Sequence, residues 1–329
     1  MRGLLLILMI VLAASTAAVW FLFAWDMKEL EARLEGRSQM VETRFGAMEY
    51  GSVGSGYPVL AIHGSGGGFD QGLEFVGPLA DHGFRLIAPS RFGYLRTPAP
   101  EGFTLVQQAD AYVDLLDHLD IERVVVFGGS AGALSAMQFA IRHPERCLAL
   151  VLLVPASYAP DRRPNESAAE SRFAETIMMT ALRSDFLFWS AIQLSPDAMT
   201  RLVLATEPAL VHAAGQKEQA RVRDVLNHIL PVSRRAEGLL FDSRTAGDPP
   251  PMELDKIACP VLAVSAEDDL YGTAASARHV AASVPDGRLL LYPQGGHLLV
   301  DHDEEVWQAI ASFIMETLAG ENVASGEPS

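Results

Sequence analysis

Cysteine occurs only twice in the 329 residues, and never in a CxxC spacing. That argues against a disulfide-stapled scaffold and against a thiolate zinc site. Cys147 opens an apolar run through Leu153, and Cys259 precedes Pro260-Val261-Leu262-Ala263-Val264. Both read as small buried hydrophobes rather than as a bridge. There is no HExxH and no P-loop spacing, so neither a metal nor a nucleotide site is signalled and no cofactor is expected. Positive charge is scarce: 25 Lys and Arg stand against 41 Asp and Glu, a net charge of −16, with no run of like charges. A chain of that sign without a basic patch repels phosphate backbones, so nucleic acid is not an expected partner.

What the sequence has is apolar content, 49% of all residues, enough for a large core. The longest uncharged stretch runs from Leu4 to Trp25. As a helix it would extend about 33 Å, sufficient to cross a bilayer. Arg2 precedes it, and Trp20 and Trp25 lie towards its far end, where interfacial aromatics collect. A cleaved signal peptide is the competing reading, with Ala13-Ala14-Ser15-Thr16-Ala17-Ala18 as the cleavage region. The segment turns apolar again through Val19-Trp20-Phe21-Leu22-Phe23, which favours an uncleaved single-pass anchor over residues 1–25, with the membrane as its partner. Lys28, Arg33 and Arg37 after the span speak for a cytoplasmic domain. The short N-terminus with one Arg before a long apolar run instead resembles signal anchors that export the domain attached to them, and the exported side is the one expected here.

Residues 26–38 read as a charged connector. From Gln39 the pattern becomes one of strands and helices. Gln39–Phe45 with Met48–Gly51, Pro58–Ile62, Phe84–Ala88, Arg123–Phe127, Leu148–Val154, Val261–Ser265 and Arg288–Tyr292 read as strands. Residues 104–119, 133–142 and 304–318 carry helical spacing. Continuous apolar strands alternating with helices imply a mostly parallel sheet covered on both faces. Residues 155–255 show no convincing strand, but Asn165, Ser195-Pro196 and the stripe Val222, Val225, Leu226, Ile229 are helix signals. An insert of that length is a subdomain. The expected organisation is therefore a core of residues 39–154 and 256–318, a helical insert at 155–255, and a flexible tail at 319–329. Met178, Met179, Phe186, Leu187, Phe188 and Trp189 in the insert either pack it onto the core or line an apolar pocket.

The strongest chemical signal is Gly128-Gly129-Ser130-Ala131-Gly132, placed between an apolar strand and a helix. Glycines two before and two after the serine suit a turn too tight for bulky neighbours, which lifts the hydroxyl off the sheet. Ser130 is the expected nucleophile. Upstream, His63-Gly64-Ser65-Gly66-Gly67-Gly68 follows another strand, and its backbone can approach an oxyanion, with the Ser65 and Ala131 amides as the two donors. A dinucleotide loop fails here because no glycine falls at the sixth position of GxGxxG. His63 reads as a brace for the loop. A serine needs a base, and the base needs an orienting acid, in the chain order Ser, Asp, His. Ala266-Glu267-Asp268-Asp269 and Gly295-Gly296-His297 follow the last two strands. Asp269, in preference to Asp268, and His297 complete the expected set, with His302 solvated.

These motifs together resemble the α/β-hydrolase superfamily, its esterase-like branch with a helical cap, over about residues 39–318. The resemblance implies an α/β-hydrolase fold preceded by one transmembrane helix, and a serine hydrolase acting on a carboxylic ester or related small-molecule acyl compound. In relatives the acid ends a Gly-x-x-Asp stretch, matched here with alanine in place of glycine, which supports Asp269. The His63-Gly64-Ser65-Gly66 start resembles that of carbon–carbon bond hydrolases of aromatic ring cleavage, although Gly67-Gly68 stands where those continue with Pro-Gly. A carbon–carbon hydrolase, a cofactor-free perhydrolase, or a non-catalytic ligand-binding member are the alternatives. Serine at position 130 excludes the haloalkane dehalogenases and epoxide hydrolases, which use aspartate. Pro89-Ser90-Arg91-Phe92-Gly93-Tyr94 occupies the place of the superfamily's Asp-x-x-Gly-x-Gly loop but departs from it.

Overall fold

A computed structural model describes residues 2–162 and 183–325. Eight strands form one sheet: β1 (Gln39–Thr43), β2 (Gly46–Val53), β3 (Tyr57–Ile62), β4 (Phe84–Pro89), β5 (Val124–Gly129), β6 (Cys147–Leu153), β7 (Val261–Ala266) and β8 (Gly287–Tyr292). Their spatial order is β1-β2-β4-β3-β5-β6-β7-β8. The β1–β2 and β2–β4 pairs are antiparallel, and every pair from β4–β3 onward is parallel. Continuous apolar strands follow from burial on both faces. All seven residues of β6 and all six of β7 are buried, whereas the edge strand β8 exposes its first half.

Helices α2 (Phe69–Phe75), α3 (Pro78–Asp81), α4 (Leu105–His118), α5 (Gly132–Arg142), α11 (Thr273–Ser283) and α12 (Asp303–Ser325) cover the sheet. Helix α4 starts where a capping box allows it, with Thr104 Oγ1 accepting from Gln107 N. One face is packed by Tyr112, Leu116, Met137 and Phe139, the other by Phe69, Leu73, Trp307 and Ile310. Burying each such side chain stabilises the fold by roughly 1.5–3 kcal/mol. Cys147, the first residue of β6, and Cys259, just before β7, are free, buried thiols with their Sγ atoms 3.4 Å apart.

Between β6 and β7 the described residues are helical and loop, with no strand: α6 (Asp185–Leu194), α7 (Pro196–Val203), α8 (Pro208–Ala213), α9 (Gln216–Asn227) and α10 (Ala236–Thr245). Ser195 precedes Pro196 at the start of α7, but its side chain caps nothing. Val222 and Leu226 of the expected stripe are buried in an apolar cluster that the insert shares with Met27, Leu298 and Val300, joined by Ile229 just beyond the helix end. Asn165, Met178 and Met179 lie outside the described residues.

The N-terminal helix α1 runs from Arg2 to Ala32, unbroken through residues 26–32 that read as connector. It continues because Phe23, Met27 and Leu30 form a stripe at helical spacing that packs onto the insert. Phe23 meets Phe186 edge-on at 5.2 Å and Trp189 at 5.6 Å, and Trp189 Nε1 donates to Asp26 Oδ2 at 2.8 Å. The apolar part before that seam is exposed and long enough to cross a membrane. At the other terminus, α12 extends through residues 319–325, expected as loose tail. Arg123 of the core pairs with Glu321 at 2.6 Å and holds that end.

Candidate active site

The chemistry-bearing residues gather at the C-terminal ends of the strands. Ser130 sits between β5 and α5 at φ 49°, left-handed backbone that a serine adopts only when its surroundings impose it. Its N–H donates to Leu153 O at 2.9 Å, and its carbonyl accepts from Ala133 and Ala156, both at 3.1 Å. The flanking glycines are sterically required. A Cβ on Gly132 would stand 2.3 Å from His63 O, and one on Gly128 2.6 Å from the Ala136 methyl.

His297 arrives on the loop after β8, and its Nε2 lies 3.0 Å from Ser130 Oγ. Its Nδ1 lies 2.8 Å from Asp269 Oδ2. The structure thus brings Ser130, His297 and Asp269 into one hydrogen-bonded line. Asp269 is buried, and its other oxygen accepts from Tyr271 N at 2.8 Å while Thr273 Oγ1 donates to Oδ2. Asp268 does something different: it accepts from Gly295 N at 3.2 Å and Gly296 N at 2.8 Å, fastening the histidine's loop. His302 stacks on Tyr292 at 4.2 Å, away from the line.

The glycine-rich loop lies against the serine turn, so close that a Cβ on Gly64 would come within 3.2 Å of Ser130 Cβ. The Ser65 and Ala131 amides make no hydrogen bond among the described residues, whereas Gly64 N donates to Gln71 Oε1 and Gly67 N to Gly64 O. His63 braces this loop. Its Nδ1 donates to Gly64 O at 2.7 Å, and its Nε2 accepts from Arg91 N at 3.0 Å. Burial, with the Arg91 charge adding to it, holds the imidazole well below its usual pKa, so it stays neutral.

Several residues that the motifs did not single out complete the surroundings. Arg91 and Tyr94, in the segment that departs from the superfamily pattern, both reach Asp242 on α10. The Arg91 guanidinium contacts the carboxylate at 2.7 and 2.5 Å, and Tyr94 Oη donates to it. Ser65 Oγ donates to the same carboxylate at 3.0 Å. Arg235, also from the insert, donates to Gly67 O and pairs with Asp70 at 2.9 Å. The histidine loop is held from the insert as well: Thr206 Oγ1 accepts from Leu298 N at 3.3 Å, and Arg221 donates to Leu298 O at 2.8 Å. The insert therefore clamps the loops around Ser130. Phe186 and Trp189 face α1, where they seat the N-terminal helix. A surface hollow of about 440 Å³ lined by Tyr57, Arg85 and Arg123 lies at the opposite ends of the strands and has no part in this arrangement.

Residues 57–303 match the family described as the alpha/beta hydrolase fold. The chain belongs to that family, and it is a hydrolase. It is 28% identical over 259 residues to the uncharacterized hydrolase YcgS of Bacillus subtilis, covering 77% of this chain and 89% of that one. It is 25% identical to the 2-hydroxy-6-oxononadienedioate/2-hydroxy-6-oxononatrienedioate hydrolase of Paraburkholderia xenovorans, covering 81% and 90%. Among solved structures it superposes on a membrane phospholipase A described as a bacterial virulence factor, with a TM-score of 0.63 at 20% identity, over 97% of this chain and 99% of the other.

Proposed function

We propose that this hydrolase cleaves a carboxylic ester, or a related acyl compound, through an acyl-enzyme on Ser130. His297 takes the proton from Ser130 Oγ as the oxygen adds to the carbonyl carbon, then delivers it to the departing alkoxide. Water repeats the sequence on the acyl-enzyme and releases the acid. Asp269 holds the imidazole in the tautomer that leaves Nε2 free to accept, and stabilises the imidazolium that forms. The Ser65 and Ala131 amides receive the oxyanion. The observation that carries the reading is the hydrogen-bonded line from Asp269 through His297 to Ser130, at 2.8 and 3.0 Å. A fluorophosphonate probe should label the protein, and Ser130→Ala should abolish both labelling and turnover of p-nitrophenyl esters. Full ester turnover by Ser130→Ala would overturn the assignment.

A second reading has the same residues cleave a carbon–carbon bond. It is favoured by the start of the glycine-rich loop and by the relative from Paraburkholderia xenovorans. Comparing kcat/KM for a ring-fission product with that for an aryl ester separates the two. A perhydrolase would instead consume hydrogen peroxide. A binding protein without activity has no use for an aligned serine, histidine and carboxylate.

We further infer that α1 is an uncleaved anchor and that the helical insert lies at the lipid surface. The support is the seam itself. Trp20 stands 6.0 Å from Phe186 at the aromatic end of the span, the level at which tryptophans settle among headgroups. An acyl substrate that partitions into that layer would meet the insert first.

A further inference from the structure

The Arg91–Asp242 pair joins the insert to one particular peptide unit. Gly64 O accepts from His63 Nδ1 at 2.7 Å and Arg91 Nη2 at 3.0 Å, and at longer range from Gly67 N at 3.3 Å. In a planar trans peptide the carbonyl and the following N–H point in opposite directions within one plane. Fixing the Gly64 carbonyl therefore fixes the direction of the Ser65 N–H. A cation on the carbonyl oxygen also polarises the amide and makes its N–H a stronger donor. The guanidinium can do this only while it is held. Asp242 holds it through two contacts, at 2.7 and 2.5 Å, and the carboxylate is steadied in turn by Tyr94 Oη and Ser65 Oγ. The ion pair itself is sealed from water: Arg91 is 3% exposed and Asp242 2%.

We propose that Arg91 and Asp242 are positioning residues that aim the Ser65 amide at the oxyanion, so that seating of the insert sets the strength of transition-state stabilisation. This rests on the acyl-transfer reading above. Asp242 is 177 residues from Ser65 and belongs to the insert, so a displacement of α10 unhooks the guanidinium and leaves the Gly64 carbonyl held by His63 and Gly67 alone, which loosens the aim of the Ser65 amide.

The test uses the full-length protein in detergent micelles, with a p-nitrophenyl ester as substrate and phenylboronic acid as an inhibitor that forms a tetrahedral adduct on a serine oxygen. Losing one oxyanion donor outright costs about 100- to 1,000-fold in kcat. A donor that remains but is misaimed should cost less, about 10- to 100-fold. Arg91→Lys keeps the charge but cannot span Asp242 and Gly64 O as a fork. Arg91→Met/Asp242→Leu removes both charges, a change that buried pairs often tolerate without loss of stability. Both variants should lower kcat and boronate affinity by similar factors, with KM within about threefold and the melting temperature close to wild type. A folded variant of either kind with wild-type kcat and wild-type boronate affinity overturns the proposal. So does a rise in KM at unchanged kcat, which would make the network a wall of the pocket. If Ser130→Ala itself stays active, the acyl-transfer reading has failed; if Ser130→Ala is dead while these variants are native, only the positioning role has.

Discussion

Asp70 offers the sharpest test of how the insert is attached. It lies fully buried in the first turn of α2, shared between Arg235, itself fully buried, and Arg33 beyond the end of α1, each at 2.9 Å. Asp70→Asn keeps the shape and removes the charge. Arg33 retains Glu74 at 3.6 Å and part of its hydration, but Arg235 is left with a carbonyl as its main partner. Breaking one side of a buried pair costs about 3–5 kcal/mol, because the surviving charge has neither water nor counter-ion. In a chain of this size each kcal/mol lowers the melting temperature by about 2 °C, so a drop of about 6–10 °C is expected by circular dichroism at pH 7. The pH dependence is a second signature. Burial alone would raise the Asp70 pKa, but the charge and hydrogen bonds of Arg235, with help from Arg33, bring it from 3.8 down to about 2. Between those values the unfolded chain binds more protons than the folded one, so stability present above pH 4 is lost as pH falls towards 2. That amounts to about 2 kcal/mol. The asparagine variant has nothing to titrate, so the gap between wild type and variant should narrow on acidification. A melting temperature within 2 °C of wild type at pH 7, or a gap that widens in acid, would refute the reasoning.

Asp269→Asn should lower kcat by about 10⁴-fold by favouring the wrong histidine tautomer, while Asp268→Asn, which still offers an oxygen to the Gly295 and Gly296 amides, should cost less than about tenfold; steady-state ester kinetics with the order reversed would reassign the acid. His63 is buried neutral with its pKa well below 6.5. The unfolded chain therefore protonates first, and stability should fall by about 1.4 kcal/mol per unit as pH drops below about 6.5. His63→Gln should flatten that slope in urea melts, and an unchanged slope would point to another group. The anchor is tested by extraction and mass: full-length protein should stay with membranes in alkaline carbonate, and a mature mass matching a start near Ala18 would replace the anchor with a cleaved leader.

The core was legible because its strands are buried on both faces. Val124-Val125-Val126-Phe127 and Cys147–Leu153 are unbroken apolar runs, and each stands within a residue or two of where the pattern puts it. The serine turn was equally plain, since its glycines answer a local steric demand. The end of α1 is less legible, because charges surround its buried stripe. Asp26, Lys28, Glu29 and Glu31 look like solvent-facing connector, and the last three do face solvent, but Phe23, Met27 and Leu30 at helical spacing mark a second face. That stripe was available in the sequence and was hidden by the charges around it. Between the two neighbouring aspartates, position decides: Asp269 turns to the imidazole and Asp268 to the backbone that carries it.

What no local pattern could reveal is the clamp. Arg91 and Asp242 are 151 positions apart, and Asp70 and Arg235 are 165 apart. One sequence offers 41 acidic residues as partners for each arginine, and nothing in its periodicity chooses among them. The choice is made by desolvation. A guanidinium carried into the interior on a loop such as Pro89–Tyr94 must meet a carboxylate there or the fold does not close. Such pairs contribute little net stability compared with apolar residues of the same volume. They discriminate strongly, however, between an insert seated in register and one displaced by a turn. The insert's apolar contacts with α1 and with Leu298 and Val300 are non-directional, whereas its two ion pairs reach the glycine-rich loop at only one setting. Placing those pairs on the peptide units beside Ser130 ties correct seating of the insert to the geometry of the serine's surroundings.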